Sequence, residues 1–232
     1  MPRIVNEAEH AARRNQILDH AQQLVYTKGY EQMTIQDILD GLQMSKGAFY
    51  HYFDSKQALL EALIERLLEQ AEKIQTPILQ APDLNALQKL KLYFNTLGRW
   101  KTEQKAYLLK LMQVWYNDEN ALVRQKLHTA SLQRFSPVLT AIIHQGFLEG
   151  LLAPKYPEQA GEVVLALMLT LGEMLAWALL TDPPDIGALP RLADSVAAYQ
   201  DAIEHVLGAP AGSIYLFDPA ILREWMMVEQ SV

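Results

Sequence analysis

The chain contains no cysteine among its 232 residues. This absence excludes disulfide bonds, thiol catalysis and cysteine-ligated metal sites, and it agrees with the reducing cytoplasm in which we expect the protein to work. No two of the six histidines have the spacing of metal ligands on a helix, and glycine-rich phosphate loops and Gly-x-Ser-x-Gly elbows are missing. The sequence therefore predicts no metal site, no cofactor and no enzyme activity.

The chain also lacks a long uninterrupted apolar run. Its most apolar region, residues 163–180, is interrupted by Glu173 after ten residues. A membrane span needs about 20 apolar residues, and a carboxylate near the bilayer centre costs roughly 2.5–3.5 kcal/mol. The first 15 residues mix arginine with glutamate and lack the apolar stretch of a secretory signal. We therefore expect region 163–180 to be a buried helix of a bundle, and we expect no membrane partner.

An excess of positive charge is the third feature that the sequence lacks. The net charge is −7, and the first 56 residues carry six Lys or Arg against seven Asp or Glu. Composition therefore does not indicate a nucleic-acid partner by itself. Any prediction of DNA binding must rest on the local arrangement of residues.

The residues that are present repeat with helical period almost everywhere, and no stretch alternates like a strand. A first helix ends near Gly29, and a second begins at Thr34, with Asp37 placed to complete a capping box. Ser45 and Ser55 are placed to cap a third and a fourth helix, the latter extending to about residue 74. The sequence therefore predicts an all-α fold that starts with short, closely connected helices.

Beyond residue 75 the predicted helices are longer. A break at Pro77, Pro82 and Asp83 precedes them. A tight link at 154–157 and a second link at 181–185 separate the later ones. The predicted helices are 84–100, 103–116, 127–152 with a bend near Pro137, 158–180, 189–207, and a short amphipathic helix at 219–229.

Residues 34–53 have the layout of a helix-turn-helix, in which a first helix braces a second, short helix that enters the major groove with its N-terminus first. Helix starts at Thr34 and Ser45 offer free amides to phosphate oxygens. Gly47 and Ala48 have almost no side chain, so the backbone can approach base edges closely. Phe49 and Phe53, four residues apart, are expected to face inward as core. The residues expected to face a duplex are Thr34, Ser45, Lys46, Gly47, Ala48, Tyr50, His51 and Lys56.

The run Ser-Lys-Gly-Ala-Phe-Tyr-His-Tyr-Phe-Asp-Ser-Lys-Gln-Ala-Leu-Leu at 45–60 resembles the recognition helix and following helix of the TetR family of repressors. Ala21, the pair at 29–30 and Thr34 extend the resemblance over about the first quarter of the chain. One position departs from the family pattern, because the family usually has glycine where Gln43 stands and here the glycine is Gly41. Gln43 is therefore expected to need a less comfortable backbone or a slightly different turn.

The resemblance implies a role for each matching residue. Thr34 and Lys56, at two helix starts, would contact the DNA backbone. Residues 45–47 would meet bases or the adjacent backbone. Tyr50 would donate its hydroxyl to a phosphate, and His51 would reach a base or a phosphate.

The resemblance also implies a three-helix head at 1–54 that binds DNA, and a larger helical domain at 55–232 that binds an effector and dimerises. The helix at 55–74 would connect the two. We expect helices 158–180 and 189–207 of two copies to form a four-helix interface. The interface residues expected are Val164, Leu167, Leu171, Leu175, Val196, Tyr199 and Ile203.

An effector pocket would lie among the central helices, lined by aromatic and methionine side chains, with Arg134 and His144 as its polar groups, although such side chains are more often plain core. The residues expected there are Trp100, Tyr107, Leu111, Trp115, Arg134, Phe135, His144, Phe147, Met168 and Trp177.

The implied function is that of a ligand-responsive repressor, a homodimer released from a near-palindromic operator by a small apolar or aromatic effector. Two recognition helices would stand roughly 34–36 Å apart, one turn of duplex. Two alternatives remain open at this point. One is an all-α enzyme or a carrier of lipids or small molecules that uses the apolar C-terminal part. The other is a helical interaction module whose helix-turn-helix does not bind DNA.

Overall fold

The computed structural model of the protein describes residues 7–180, 189–216, 221, 224 and 225. Within these residues the chain is helical and contains no strand, which confirms the predicted all-α fold. A 3-10 turn at Asp118–Asn120 precedes one of the later helices. The helices are α1 Glu7–Lys28, α2 Ile35–Leu42, α3 Lys46–Tyr50, α4 Lys56–Gln80, α5 Ala86–Glu103, α6 Lys105–Trp115, α7 Ala121–Leu148, α8 Pro157–Leu180 and α9 Leu189–Leu207.

The first of two compact units comprises the chain up to Glu69 together with Ala106–Val123. Its core is a single cluster of apolar side chains from α1 to α4 and from α6. Ile17, Phe49 and Leu59 are completely buried in this cluster, and Tyr107 joins them from α6. The short helices α2 and α3, of eight and five residues, are thereby held by shared burial, since neither is long enough to be stable alone.

The second unit comprises Gln70–Lys105 and the chain from Arg124 onward. Leu139, Val164 and Ile203, from α7, α8 and α9, are completely buried in it. The carboxylate of Glu204 is also buried and accepts hydrogen bonds from the backbone N–H groups of Gly212 (3.0 Å) and Ile214 (2.9 Å). The segment that follows α9 is therefore fastened to that helix by a satisfied buried charge.

The end of the fourth helix was predicted wrongly, because α4 continues through Pro77 to Gln80 instead of ending near residue 74. Proline removes one backbone hydrogen bond, which normally ends or bends a helix. Here Ile78, beyond the proline, is buried, and the amine of the buried Lys89 donates to the carbonyl of Leu79 at 2.9 Å. Tertiary contacts thus compensate the lost bond and carry the helix one turn further.

The limits of α7 also differ from the predicted 127–152. The helix begins at Ala121, directly after the 3-10 turn, and ends at Leu148. Gly150 follows with φ +70°, and the N–H of Leu151 donates to the carbonyl of Gly146 at 2.9 Å, which closes the C-terminus. Pro137 lies inside the helix. The predicted link at 181–185 lies outside the described residues, as does most of the predicted helix at 219–229.

Helix α8 agrees with its predicted span to within one residue but not with its predicted burial. Its most apolar 18-residue window has a mean hydropathy of 2.1, and the helix is long and apolar enough to cross a membrane by length and composition. Only 22% of its most apolar 18-residue window is buried within the chain. One face of α8 packs against α9 and the core, so the expectation of a buried helix does not hold within a single copy.

Candidate nucleic-acid interface

The short helix α3 presents its first turn to solvent over a completely buried base. Ser45 caps it by accepting a hydrogen bond from the backbone N–H of Ala48 at 3.2 Å, as predicted. Phe49 is 0% exposed and Phe53 4%, and their rings lie 5.9 Å apart. The side chains from Ser45 to Ala48, and those of Tyr50 and His51, are exposed. The two phenylalanines therefore hold the helix from beneath while its outer face stays free.

The helix before it, α2, starts with the capping box that the sequence predicted. The backbone N–H of Asp37 donates to the Thr34 hydroxyl at 3.1 Å, and the Thr34 backbone N–H donates to the Asp37 carboxylate at 2.7 Å. The Lys28 ammonium also lies 2.8 Å from that carboxylate. The Thr34 hydroxyl donates to the same carboxylate at 2.7 Å. Lys28 first, and then the bonds donated by the Thr34 hydroxyl and backbone N–H, hold the pKa of Asp37 well below its usual range. The start of α2 is thus tied to the end of α1.

The turn between α2 and α3 confirms the strained backbone expected at Gln43. Its φ and ψ are 48° and 46°, in the left-handed region, and no other non-glycine residue in the described ranges has a positive φ. A side chain in this region costs about 1–2 kcal/mol. The N–H of Met44 donates to the Leu39 carbonyl at 3.0 Å, and Arg13 of α1 reaches the Leu42 carbonyl at 3.4 Å. These bonds close the end of α2 and hold the turn.

Gly41, the nearest glycine to this turn, has a packing role that the sequence did not reveal. A Cβ atom at this position would lie 2.0 Å from Nε2 of His20 and 2.5 Å from its Cε1. The imidazole of His20 therefore occupies the space that any other residue at 41 would need. Glycine at 41 allows α1 and α2 to approach closely, which is a different task from making the turn.

Lys56, at the start of α4, is held by partners of its own. Its ammonium donates to the Glu31 carbonyl at 3.1 Å and lies 4.3 Å from the centre of the Tyr30 ring. Burial lowers the pKa of Lys56, and burial raises that of Tyr30 to about 12. An ammonium carries three donors, so the bond to Glu31 leaves donors on Lys56 for a phosphate.

Helix α1 contributes residues to this surface that sequence reasoning missed. The ring of His10 lies 5.5 Å from that of His51 and 4.6 Å from that of Tyr52. The guanidinium of Arg14 lies 5.1 Å above the centre of the Phe53 ring. The only signal in the sequence is that His10 and Arg14 are four residues apart, on one face of a helix.

The residues expected in an effector pocket are divided between the two units. Tyr107 and Leu111 are buried in the core of the first unit. Trp115 lies in the same unit. In the second unit Phe135 is buried, Trp100 and Met168 are half-buried, and Phe147 and Trp177 are 48% and 51% exposed. Arg134 forms an ion pair with Glu72 at 3.6 Å.

A groove of about 610 Å³ lies between α7 and α8, and of the expected pocket residues only His144 lines it. Its other lining residues are Ser136, Pro137, Thr140, Ala141, Glu158 and Glu162. Across the described part of the chain, no three histidine or acidic side chains lie close enough to hold a metal ion.

The side chain of Gln75, in the second unit, is buried and has one atom without a partner. Gln75 of α4 is 2% exposed, and its Oε1 atom has no hydrogen bond within the protein. Its side-chain amide bonds to Tyr93, whose pKa burial raises above its usual range. A buried acceptor without a partner is unfavourable unless something else satisfies it.

The residues expected at a dimer interface fall into two groups. Val164, Leu171 and Ile203 are completely buried within the chain and so belong to its own core. The other four, Leu167 and Leu175 of α8 and Val196 and Tyr199 of α9, are half-buried. Val163 and Trp177, which the sequence reasoning did not place there, add 43% and 51% exposed apolar side chains to α8.

An exposed recognition helix, braced by a second helix and attached to a larger helical body, defines a helix-turn-helix regulator that binds DNA. Residues 17–63 match the family model "Bacterial regulatory proteins, tetR family", and residues 109–177 match "Tetracyclin repressor-like, C-terminal domain". The chain belongs to the TetR family of transcriptional regulators. Regulators of this family bind operator DNA and generally act as dimers.

Individual relatives agree with this assignment. The chain is 26% identical over 172 residues to the HTH-type transcriptional regulator EthR of Mycolicibacterium smegmatis, which covers 65% of this chain and 79% of that one. It is 31% identical over 86 residues to the HTH-type transcriptional repressor NemR of Escherichia coli, covering 37% of this chain and 43% of that one. A TetR-family regulator from Pectobacterium atrosepticum has the same fold, with a TM-score of 0.65 at 18% identity over 88% of this chain and 98% of that one.

Proposed function

We propose that the chain is a homodimeric repressor that binds a near-palindromic operator and leaves it when a small apolar or aromatic effector binds. The observation that carries this proposal is the geometry of α3, whose first turn is exposed while Phe49 directly beneath is completely buried. A short helix held in this way can enter a major groove with its N-terminus first. Such a regulator acts where the DNA is, so we place it in the cytoplasm.

The local charge supports a DNA partner even though the whole chain is acidic. No acidic residue occurs from Met44 to Phe53, while Lys46 and His51 are exposed there. We assign the base edges and the adjacent backbone to residues 45–48. Tyr50 and His51 extend this contact, and Thr34 and Lys56 contact phosphates on either side.

Selection of bound duplexes from a random pool tests the proposal directly, because it yields both the operator sequence and the spacing of its half-sites. Binding to the selected duplex is then measured against salt. About six phosphate contacts would weaken binding on the order of a thousandfold between 50 and 200 mM salt. A carrier of lipids or small molecules, or an interaction module that does not bind DNA, would show no such salt-dependent binding.

Tyr50→Phe and Lys56→Ala test the assigned contacts. Each removes a donor to a phosphate, so each variant should bind all duplexes about tenfold more weakly, with unchanged sequence preference. Changes at Gly47 or Ala48 should instead alter which duplex is preferred. Tyr215→Phe, at a 52% exposed tyrosine of the second unit, is the matched control. Unchanged affinity in both Tyr50→Phe and Lys56→Ala would show that the assigned contacts are wrong.

For the dimer we propose an interface of α8 and α9 from two copies, centred on Leu167, Leu175, Val196 and Tyr199. Its support is that α8 is strongly apolar, while only 22% of its most apolar 18-residue window is buried within one copy. A large exposed apolar face marks a surface that another molecule covers. Two copies joined here would carry two reading heads, as a near-palindromic site requires.

For the response we propose that residues 55–232 bind the effector and dimerise, that residues 1–54 read DNA, and that α4 couples the two. An effector that binds better to a form unable to span both half-sites would shift the population off DNA. Apolar and aromatic compounds that raise the melting temperature should also release the selected duplex.

A further inference from the structure

The ring of His10 belongs to a cluster of three aromatic side chains at one end of the recognition helix. Its ring is edge-on to that of His51, with 5.5 Å between centres and 82° between planes. It lies more nearly parallel to the ring of Tyr52, at 4.6 Å and 34°. The rings of His51 and Tyr52 are 5.3 Å apart at 80°. We call these three residues the His10 cluster.

Helix α3 needs support at this end. It has five residues, too few to persist without tertiary contacts. Phe49 anchors its middle and Phe53 the chain beyond it, yet His51, its C-terminal cap, is exposed. An exposed side chain without neighbours samples several rotamers and loses that freedom when it binds. The ring contacts with His10 and Tyr52 limit this sampling before DNA arrives.

We propose that His10 is a positioning residue for DNA recognition, which fixes the imidazole of His51 toward the duplex through the His10 cluster. The proposal rests on the proposed function, because it assigns His51 to the DNA surface. It extends that surface to α1, some forty residues earlier in the chain. His10 acts here through His51 and needs no contact of its own with DNA.

The burial pattern separates this role from a role in stability. His10 is half-exposed, whereas the core beneath is closed by Ile17, Phe49 and Phe53. Loss of the His10 ring removes no completely buried side chain, so the head should remain folded. The affinity for DNA should respond more strongly than the stability does.

The test measures binding of the duplex selected by the wild-type protein, with variants at two positions. His10→Ala should weaken binding about tenfold, and His10→Phe, which keeps a ring against His51 and Tyr52, should restore most of the loss. In a His51→Ala background, His10→Ala should cause no further loss, because a positioning residue acts only through the residue it positions. His128→Ala, at an exposed histidine of the second unit, is the control and should bind like the wild type.

Each contrary result has a distinct meaning. If the wild-type protein selects no duplex, the proposed function itself fails. If the wild type binds but His10→Ala binds equally well, His10 has no part in recognition. An equal loss from His10→Ala with and without His51, or no recovery in His10→Phe, would also overturn the inference. So would loss of the cooperative unfolding transition in His10→Ala, since that would give His10 a structural role only.

Discussion

At the end of α2, Gly41 lies inside the helix and Gln43 lies in the left-handed turn. Glycine is the residue that favours the turn, and glutamine is the one that favours the helix. Glycine inside a helix costs about 1 kcal/mol relative to alanine, and Gly41 lies inside α2. Gln43 occupies a left-handed conformation that glycine adopts without strain. The contact between Gly41 and His20 explains why glycine is needed at the first position. The Arg13 bond to the Leu42 carbonyl helps to hold the turn at the second.

Gly41→Ala provides a test of this packing. In the wild-type background the new methyl group would meet the His20 ring at 2.0 Å, and we expect a net loss of about 1 kcal/mol in the free energy of unfolding. In a His20→Ala background the ring is gone, so the same change should stabilise by up to about 1 kcal/mol through helix propensity. Urea unfolding of the four proteins measures both effects.

Gly47→Ala is the matched control, because nothing lies within 4 Å of the position that its Cβ would take. It should leave stability unchanged or slightly raised, although it should alter DNA preference. If Gly41→Ala destabilises equally with and without His20, the close approach to the imidazole is not the reason for glycine at 41.

At the scale of helices, the features that depend on neighbouring residues were predictable from the sequence. The caps at Thr34, Ser45 and Ser55 are present as predicted, because a cap is a hydrogen bond across three residues. The limits of α9 agree residue for residue. The end of α4 was not predictable, since helix beyond Pro77 is held by Lys89 from another element.

In the candidate site, too, local features were predictable from the sequence and long-range contacts were not. The sequence indicated the outer face of α3 and its two buried phenylalanines, because a short motif carries both. It did not indicate His10, Arg13 or His20, which contact the helix-turn-helix from α1. Arg13 and Leu42, for example, are 29 residues apart in the chain. Contacts between distant segments depend on how helices pack, and a single sequence has no periodic signal for them.

The capping box of α2 makes the stability of the head depend on pH. The pKa of Asp37 is depressed in the folded chain, so its ionised form stabilises the fold above the ordinary value of 3.8 and this contribution is lost as pH falls further. Asp37→Asn keeps an oxygen acceptor but cannot pair with Lys28. The variant should be less stable than the wild type at pH 7, and the difference should shrink below about pH 4.

Thermal unfolding from pH 7 to pH 3 measures this difference, with Asp40→Asn, at the other acid of α2, as the control. A constant gap between Asp37→Asn and the wild type across this range would contradict the assignment. The loss would then come from packing at the helix start, without a contribution from the charge on Asp37.

At the scale of the whole molecule, the apolar faces that α8 and α9 leave exposed bear on the oligomeric state of the protein. A helix whose most apolar window has a mean hydropathy of 2.1 and is only 22% buried needs either a membrane or a second protein surface to cover it. Glu158, Glu162 and Glu173 interrupt α8, and the small residues Ala193 and Ala197 on α9 are exposed. Small exposed residues allow two helix pairs to approach closely, which favours a second copy as the cover.

Leu167→Glu tests this choice, because a carboxylate buried without a partner at the centre of the interface is strongly unfavourable. Sedimentation should show the wild type as a dimer and the variant as a monomer. The variant should bind the selected duplex at least a hundredfold more weakly, since each copy reads one half-site. Leu122→Glu, at a 63% exposed leucine in the first unit, should remain a dimer with wild-type affinity. A Leu167→Glu protein that stays dimeric would show that the interface lies elsewhere. A wild-type protein that is monomeric, or that is recovered with membranes, would show that a second copy does not cover α8.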